Sequence, residues 1–236
     1  MCAEIKGLLF DYGGTLDTNG KHWAWVLWDC YTAHGIQLER DLFYAAYVFA
    51  EREMGRNRLV MVDFDFEDVL RVKLSLQFQQ LHSTGISLDK SLIPSMASAC
   101  NAIAQLHIEQ AKPILERLYG KFPMVMVSNF YGNLNTVLND YGIHHYFDEI
   151  VESAVVAVRK PDPKIYALGV KALGLPAKNC LVIGDSYQKD MQAGKLAGCQ
   201  TLWLHGQEWE TDQDANDTTA ADQVISTISE LVGILL

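Results

Sequence analysis

Four stretches of the chain are apolar nearly throughout and stop on small or polar residues: "IKGLLF" (5–10), "MVMVSNF" (124–130), "CLVIGD" (180–185) and "CQTLWLHG" (199–206). Apolar runs of this length, bounded by Gly, Asp, Ser or Asn, predict buried parallel strands. Between them, "LNTVLNDYG" (134–142) and "DPKIYALGVKALGL" (162–175) read as helices; the second has Pro161 and Pro163 at its start and Gly174 at its close, as helix start and stop signals require. Strand and helix therefore alternate through the second half, which predicts a doubly wound α/β sheet with its ligands at the carboxyl ends of the strands. Asp11, Ser128 and Asp185 all fall at such ends.

The region between the first two strands has a different rhythm. "HWAWVLWDCYTAHGI" (22–36), "RDLFYAAYVFAEREMG" (40–55), "FEDVLRVKLSLQFQQL" (66–81) and "PSMASACNAIAQLHIEQAKPILERL" (94–118) space their apolar residues as helices do. The expectation is an α/β domain made of residues 1–16 and 110–236, with a smaller helical domain, 17–109, inserted after the first strand and standing over the strand ends. No internal repeat or low-complexity segment is present, only a polar loop, "EWETDQDANDTTA" (208–220), before the last helix-like segment.

With 236 residues, 49% of them apolar, the chain can bury one sizeable core or a core with an appendage. A net charge of −10 argues against nucleic acid or an anionic membrane as partner and leaves small molecules. The five cysteines (Cys2, Cys30, Cys100, Cys180, Cys199) are odd in number and scattered, which suits reduced thiols. No basic stretch leads into an apolar signal segment, and the apolar run Leu42 to Ala50 is too short for a bilayer, so a soluble cytoplasmic protein is expected.

The first strand end carries the chemistry. In "LLFDYGGTLDT" (8–18), Asp11 is a carboxylate presented by a glycine loop whose N–H groups can face an anion, an arrangement suited to attack on phosphorus or another electrophile. Asp185 and Asp190 in "GDSYQKD" could complete a Mg²⁺ site, because this hard cation favours carboxylates, water and substrate phosphate. "VSNF" adds the Ser128 hydroxyl, and "RKPDP" adds the point charge of Lys160.

In this order and spacing, "DYGGTLD", "VSNF", "VRKPDPKIY" and "GDSYQKDMQAGKLAG" resemble the four motifs of the haloacid dehalogenase-like hydrolase superfamily. The resemblance implies a Rossmann-like core with a type 1 helical cap. It makes Asp11 the nucleophile that forms an aspartyl-phosphate, and puts Ser128 and Asn129 on the phosphoryl group. Lys160 would neutralise nucleophile and phosphoryl oxygens. Asp11, Asp185 and the Gly13 carbonyl would hold Mg²⁺, with Asp190 at the edge of the metal shell. The implied activity is Mg²⁺-dependent hydrolysis of a small phosphorylated metabolite.

One position departs from the pattern. The superfamily's usual second aspartate, two residues after the first, is Gly13 here. Glycine keeps the carbonyl and removes a general acid–base, a function that typically contributes about 10²–10⁴-fold, so slower hydrolysis is expected, with water or the substrate supplying the proton. Asp17 comes one residue sooner than the superfamily's aspartate after Gly-Thr-Leu and receives no role. Two alternatives stay open: phosphonate or haloacid cleavage, and a non-catalytic phosphate-binding relative.

Other conspicuous residues read as structural. His144 and His145 have no third ligand spaced near them and are expected in surface or packing roles. Trp23, Trp25 and Trp28 are expected to fill a small helical core. Arg52, Arg56 and Arg58 are expected to be solvated.

Overall fold

The first apolar run forms β1 (Gly7–Phe10), buried at every position. Being covered on both faces, it takes continuous apolar residues rather than an alternation. The same holds for β2 (Met124–Ser128) and β4 (Cys180–Gly184), while β5 (Gln200–Leu204) is buried beyond its first residue. In this computed structural model, which describes residues 3–209 and 218–236, these strands join β3 (Glu149–Glu152) and β6 (Gln223–Ile225). Together they make a six-stranded parallel sheet of order β3-β2-β1-β4-β5-β6. β3 and β6 were not anticipated, for a physical reason: they are the two edge strands, short and half exposed, and so carry no unbroken apolar run. Cys2 and most of the polar stretch 208–220 lie outside the described residues.

Four long helices separate β1 from β2: α1 (Trp23–Ala33), α2 (Arg40–Arg56), α3 (Phe66–Ser83) and α4 (Ile93–Leu118). Capping fixes two starts. His22 Nδ1 accepts the Ala24 N–H at 3.1 Å before α1, and Asp65 accepts the Asp68 N–H at 2.8 Å before α3, whose first turn is acidic. In α4, Met96, Cys100, Ala104, Ile108, Ala111, Leu115 and Leu118 form one buried stripe at helical spacing. The helix runs without interruption through residues 109 and 110. Pro113, inside it, has no N–H for the carbonyl one turn earlier, at Glu109.

The remaining helices are short: α5 (Leu134–Asp140), α6 (Ser153–Val156), α7 (Lys164–Leu173), α8 (Ala193–Leu196) and α9 (Leu231–Leu235). α7 ends where Gly174 turns left-handed at φ 64°. Successive side chains of the central strands enter opposite layers. Leu8 and Phe10 join the large core shared with α1–α4, and Leu9 joins a second core beneath α7. Fully burying such a side chain contributes about 1.5–3 kcal/mol. The result is a Rossmann-like α/β sheet with a helical cap, and no described helix is long and apolar enough to cross a membrane.

Candidate active site

Strand register brings the three motif ends together. Phe10 pairs with Met126 on one side and Ile183 on the other, and the Asp11 N–H donates to the Ile183 carbonyl at 2.9 Å. Asp11, Ser128 and Asp185 therefore leave the sheet along one edge, where the strand order reverses about β1 and doubly wound sheets hold ligands.

The two oxygens of Asp11 meet different surroundings. Oδ1 accepts from Lys160 Nζ at 2.6 Å and from Ser128 Oγ at 3.2 Å. Oδ2 accepts a longer bond, 3.3 Å, from Thr15 Oγ1, whose oxygen also lies 3.1 Å from Asp185 Oδ1. Lys160 reaches on to Asp190 Oδ1 at 2.7 Å, where Tyr166 also donates at 2.6 Å, while Asp190 Oδ2 takes the Ser186 N–H at 3.0 Å. Both ends of the Asn129 amide bind the peptide of Lys160, accepting its N–H at 2.9 Å and donating to its carbonyl at 3.2 Å. What the Asn129 side chain contributes is thus the placing of Lys160.

Charge is out of balance here. Asp11, Asp185 and Asp190 each offer an oxygen within 4.8 Å of the others. The buried Lys160 ammonium pairs with two of them, Asp11 and Asp190, and the charge of Lys189 acts on Asp185, leaving negative charge in excess if all three are ionised. Burial, then the charges of Asp11 and Asp190, holds the Asp185 carboxyl well above its ordinary range. Burial alone would weaken the Lys160 ammonium, but Asp11 and Asp190 overcome it and raise its pKa. An all-oxygen donor set with this excess fits a hard divalent cation.

The two glycines of the loop differ in necessity. Gly14 has φ +95°, and a Cβ on it would lie 2.2 Å from Asp185 Oδ2, so only glycine lets the loop pass that carboxylate. At Gly13 a Cβ would meet nothing within 4 Å.

A cavity of about 220 Å³ opens above these groups. Its roof comes from the helical region, with Trp23, Tyr47, Glu51 and Lys73 among the lining residues. Lys73, on α3, is buried and pairs with Glu51 of α2 at 2.6 Å; the Tyr131 hydroxyl, from the loop after β2, donates to the same carboxylate at 2.8 Å. Lys73 outweighs burial to lower the Glu51 pKa. None of these three was legible as a site residue, because their meeting depends on how two helices lie over a loop. Thr15 and Tyr166 escaped for the same reason, although both stand inside the quoted motifs. Glu152 also escaped notice: it is buried and accepts the N–H groups of Gly132 and Leu134, holding the loop beyond Ser128 in place.

The residues read as structural divide. Trp25 and Trp28 pack in an aromatic cluster with Phe43 and Trp209. Arg52, Arg56 and Arg58 are exposed, and His144 and His145 belong to no metal-ligand group among the described residues. Trp23 does more than fill a core: it lines the cavity and donates its indole N–H to Asp17 Oδ2 at 2.9 Å.

Known proteins resemble the chain at several levels. Glyceraldehyde 3-phosphate phosphatase of Methanopyrus kandleri is 31% identical over 94 residues, and this match spans 40% of either protein's length. The (S)-2-haloacid dehalogenase of Pseudomonas fluorescens is 27% identical over 235 residues, 97% of this chain and 95% of that one. In fold, the HAD-hydrolase YfnB of Bacillus subtilis, solved bound to magnesium, superposes with a TM-score of 0.59 at 21% identity and covers 99% of both chains. Residues 5–198 match the profile of the haloacid dehalogenase-like hydrolases. A match of that extent, on a sheet that carries the motif residues at one edge, makes this chain a member of the haloacid dehalogenase-like hydrolase family.

Proposed function

We propose that the chain is a Mg²⁺-dependent phosphatase that hydrolyses a small phosphate monoester through an aspartyl-phosphate on Asp11. The observation that carries this reading is the gathering of Asp11, Asp185 and Asp190 within reach of one ion, two of them also paired with the Lys160 ammonium. Asp11 Oδ2 and Asp185 share Thr15, which suits the side that would hold the ion, together with the Gly13 carbonyl. The bound ion would neutralise charge on the phosphoryl oxygens. Oδ1 faces Ser128 and Lys160, which makes it the attacking oxygen and makes those two the holders of the phosphoryl group. Asp190 accepts from Lys160 Nζ on the side away from Asp11 and acts by fixing that ammonium. The roof of Glu51, Lys73 and Tyr131 would meet a polar leaving group of a few carbon atoms, the size that the cavity admits.

A screen of the purified protein against phosphorylated metabolites tests this. Phosphate release is expected with Mg²⁺, is lost on chelation, and falls by about 10³-fold or more in Asp11→Asn. Activity that survives this substitution would mean another nucleophile. The full-length likeness to a haloacid dehalogenase favours a second reading, displacement of halide from carbon. Halide departs without a divalent cation, which leaves the third carboxylate unexplained. Halide release from 2-haloacids that is indifferent to chelation and faster than any phosphate release would transfer the assignment.

A further inference from the structure

Asp17 received no role from its position in the motif, yet its surroundings in the fold are those of a working group. Its carboxylate is fully buried and lines the same cavity as Asp11 and Asp185. Gly14 N–H fixes Oδ1 at 2.7 Å and the Trp23 indole N–H fixes Oδ2 at 2.9 Å, so the group is held from both the glycine loop and the start of α1. Position 13, where the family carries its acid–base, has no side chain, and a Cβ there would meet no atom within 4 Å beyond its own chain neighbours.

The geometry points to Asp17 as the general acid–base of this site, doing from position 17 what its relatives do from position 13. This rests on the phosphatase reading above. In the first step Asp11 Oδ1 forms a bond to phosphorus, the bond from phosphorus to the leaving oxygen breaks, and the Asp17 carboxyl gives that oxygen its proton. In the second step the Asp17 carboxylate takes a proton from water as the water oxygen bonds to phosphorus; the Asp11–phosphorus bond breaks, inorganic phosphate leaves, and Asp17 is protonated again. Burial pushes the Asp17 carboxyl up to about 7, where both forms exist near neutral pH. The charged and titratable groups acting with it are Asp11 after β1, Lys73 on α3, and the hydroxyls of Tyr12 and Tyr141.

The test follows the two half-reactions with 4-nitrophenyl phosphate and Mg²⁺, using rapid quenching. An acidic leaving group needs no proton, so Asp17→Asn should keep the burst of nitrophenolate. Hydrolysis of the phosphoenzyme should slow by about 10²-fold or more, and phosphate should accumulate on the protein. Gly13→Asp added to Asp17→Asn should recover at least about a tenth of the lost rate, because the room at position 13 is open. Equal slowing of both half-reactions without recovery would make Asp17 a structural anchor of the loop, and an unchanged Asp17→Asn would overturn the assignment outright. Should Asp17→Asn not fold, Trp23→Phe decides: losing the indole N–H from Asp17 Oδ2 should raise the pH at which phosphoenzyme hydrolysis is half-maximal, and a profile identical to the parent's would overturn the assignment. If the parent protein gives neither burst nor phosphoenzyme, the phosphatase reading falls and this assignment falls with it.

Discussion

Gly13 and Gly14 are identical letters in the sequence with opposite surroundings in the fold. An alanine at position 14 must adopt a left-handed conformation, at about 1–2 kcal/mol, and must also push its methyl group into Asp185. Gly14→Ala is therefore expected to lower the melting temperature and to weaken Mg²⁺ binding, measured by calorimetric titration. Gly13→Ala should stay within about 0.5 kcal/mol of the parent in denaturant unfolding, as substitutions with free room do. Sequence alone placed Asp11, Ser128 and Asp185 at strand ends, and the sheet brings those ends to one edge, where Lys160 reaches Asp11. The sequence did not disclose Thr15, Asp17 or Tyr166 as partners, since each acquires its role only when a side chain from another element comes within hydrogen-bond distance.

Legibility at the scale of elements followed burial. β1, β2, β4 and β5 announced themselves as apolar runs because the sheet covers both of their faces, whereas β3 and β6 at the edges did not. The helices α1–α4 were visible from spacing, but the way the α/β domain grips them was not. Trp209, in the segment after β5, sits 2% exposed among the rings of Trp25, Phe43 and Tyr44, with the Arg40 guanidinium 4.6 Å from its own ring. It inserts from the sheet side into the aromatic core of α1 and α2. Trp209→Ala should cost about 3–5 kcal/mol in global unfolding, and a larger loss of intrinsic fluorescence than one exposed indole carries would report its burial.

The whole molecule presents a parallel sheet, one edge of it acidic, under a roof of helices. In the metal-free protein the carboxyls of Asp17 and Asp185 hold their protons more tightly when folded than when unfolded. Their contribution to stability is thus fully present below the ordinary value of 3.8 and is lost as pH rises, for Asp17 through about 7. Mg²⁺ bound as proposed would act in the other direction, favouring the ionised folded state by about 2.7 kcal/mol at a hundred times its dissociation constant. The rise in melting temperature caused by Mg²⁺ should therefore be larger at pH 8 than at pH 5.5, which scanning calorimetry would measure. The general form of the sheet and the meeting of the motif residues along one edge were legible in the sequence; the roof was not, because Glu51, Lys73 and Tyr131 come from three separate segments. That roof also bears on how the helical region is held in place. Any excursion that lifts α2 away from the sheet has to part the Tyr131 phenol from an ionised carboxylate, so this one charge-assisted bond fastens the helical region to the loop beyond β2 on the far side of the cavity from Asp11 and Asp185.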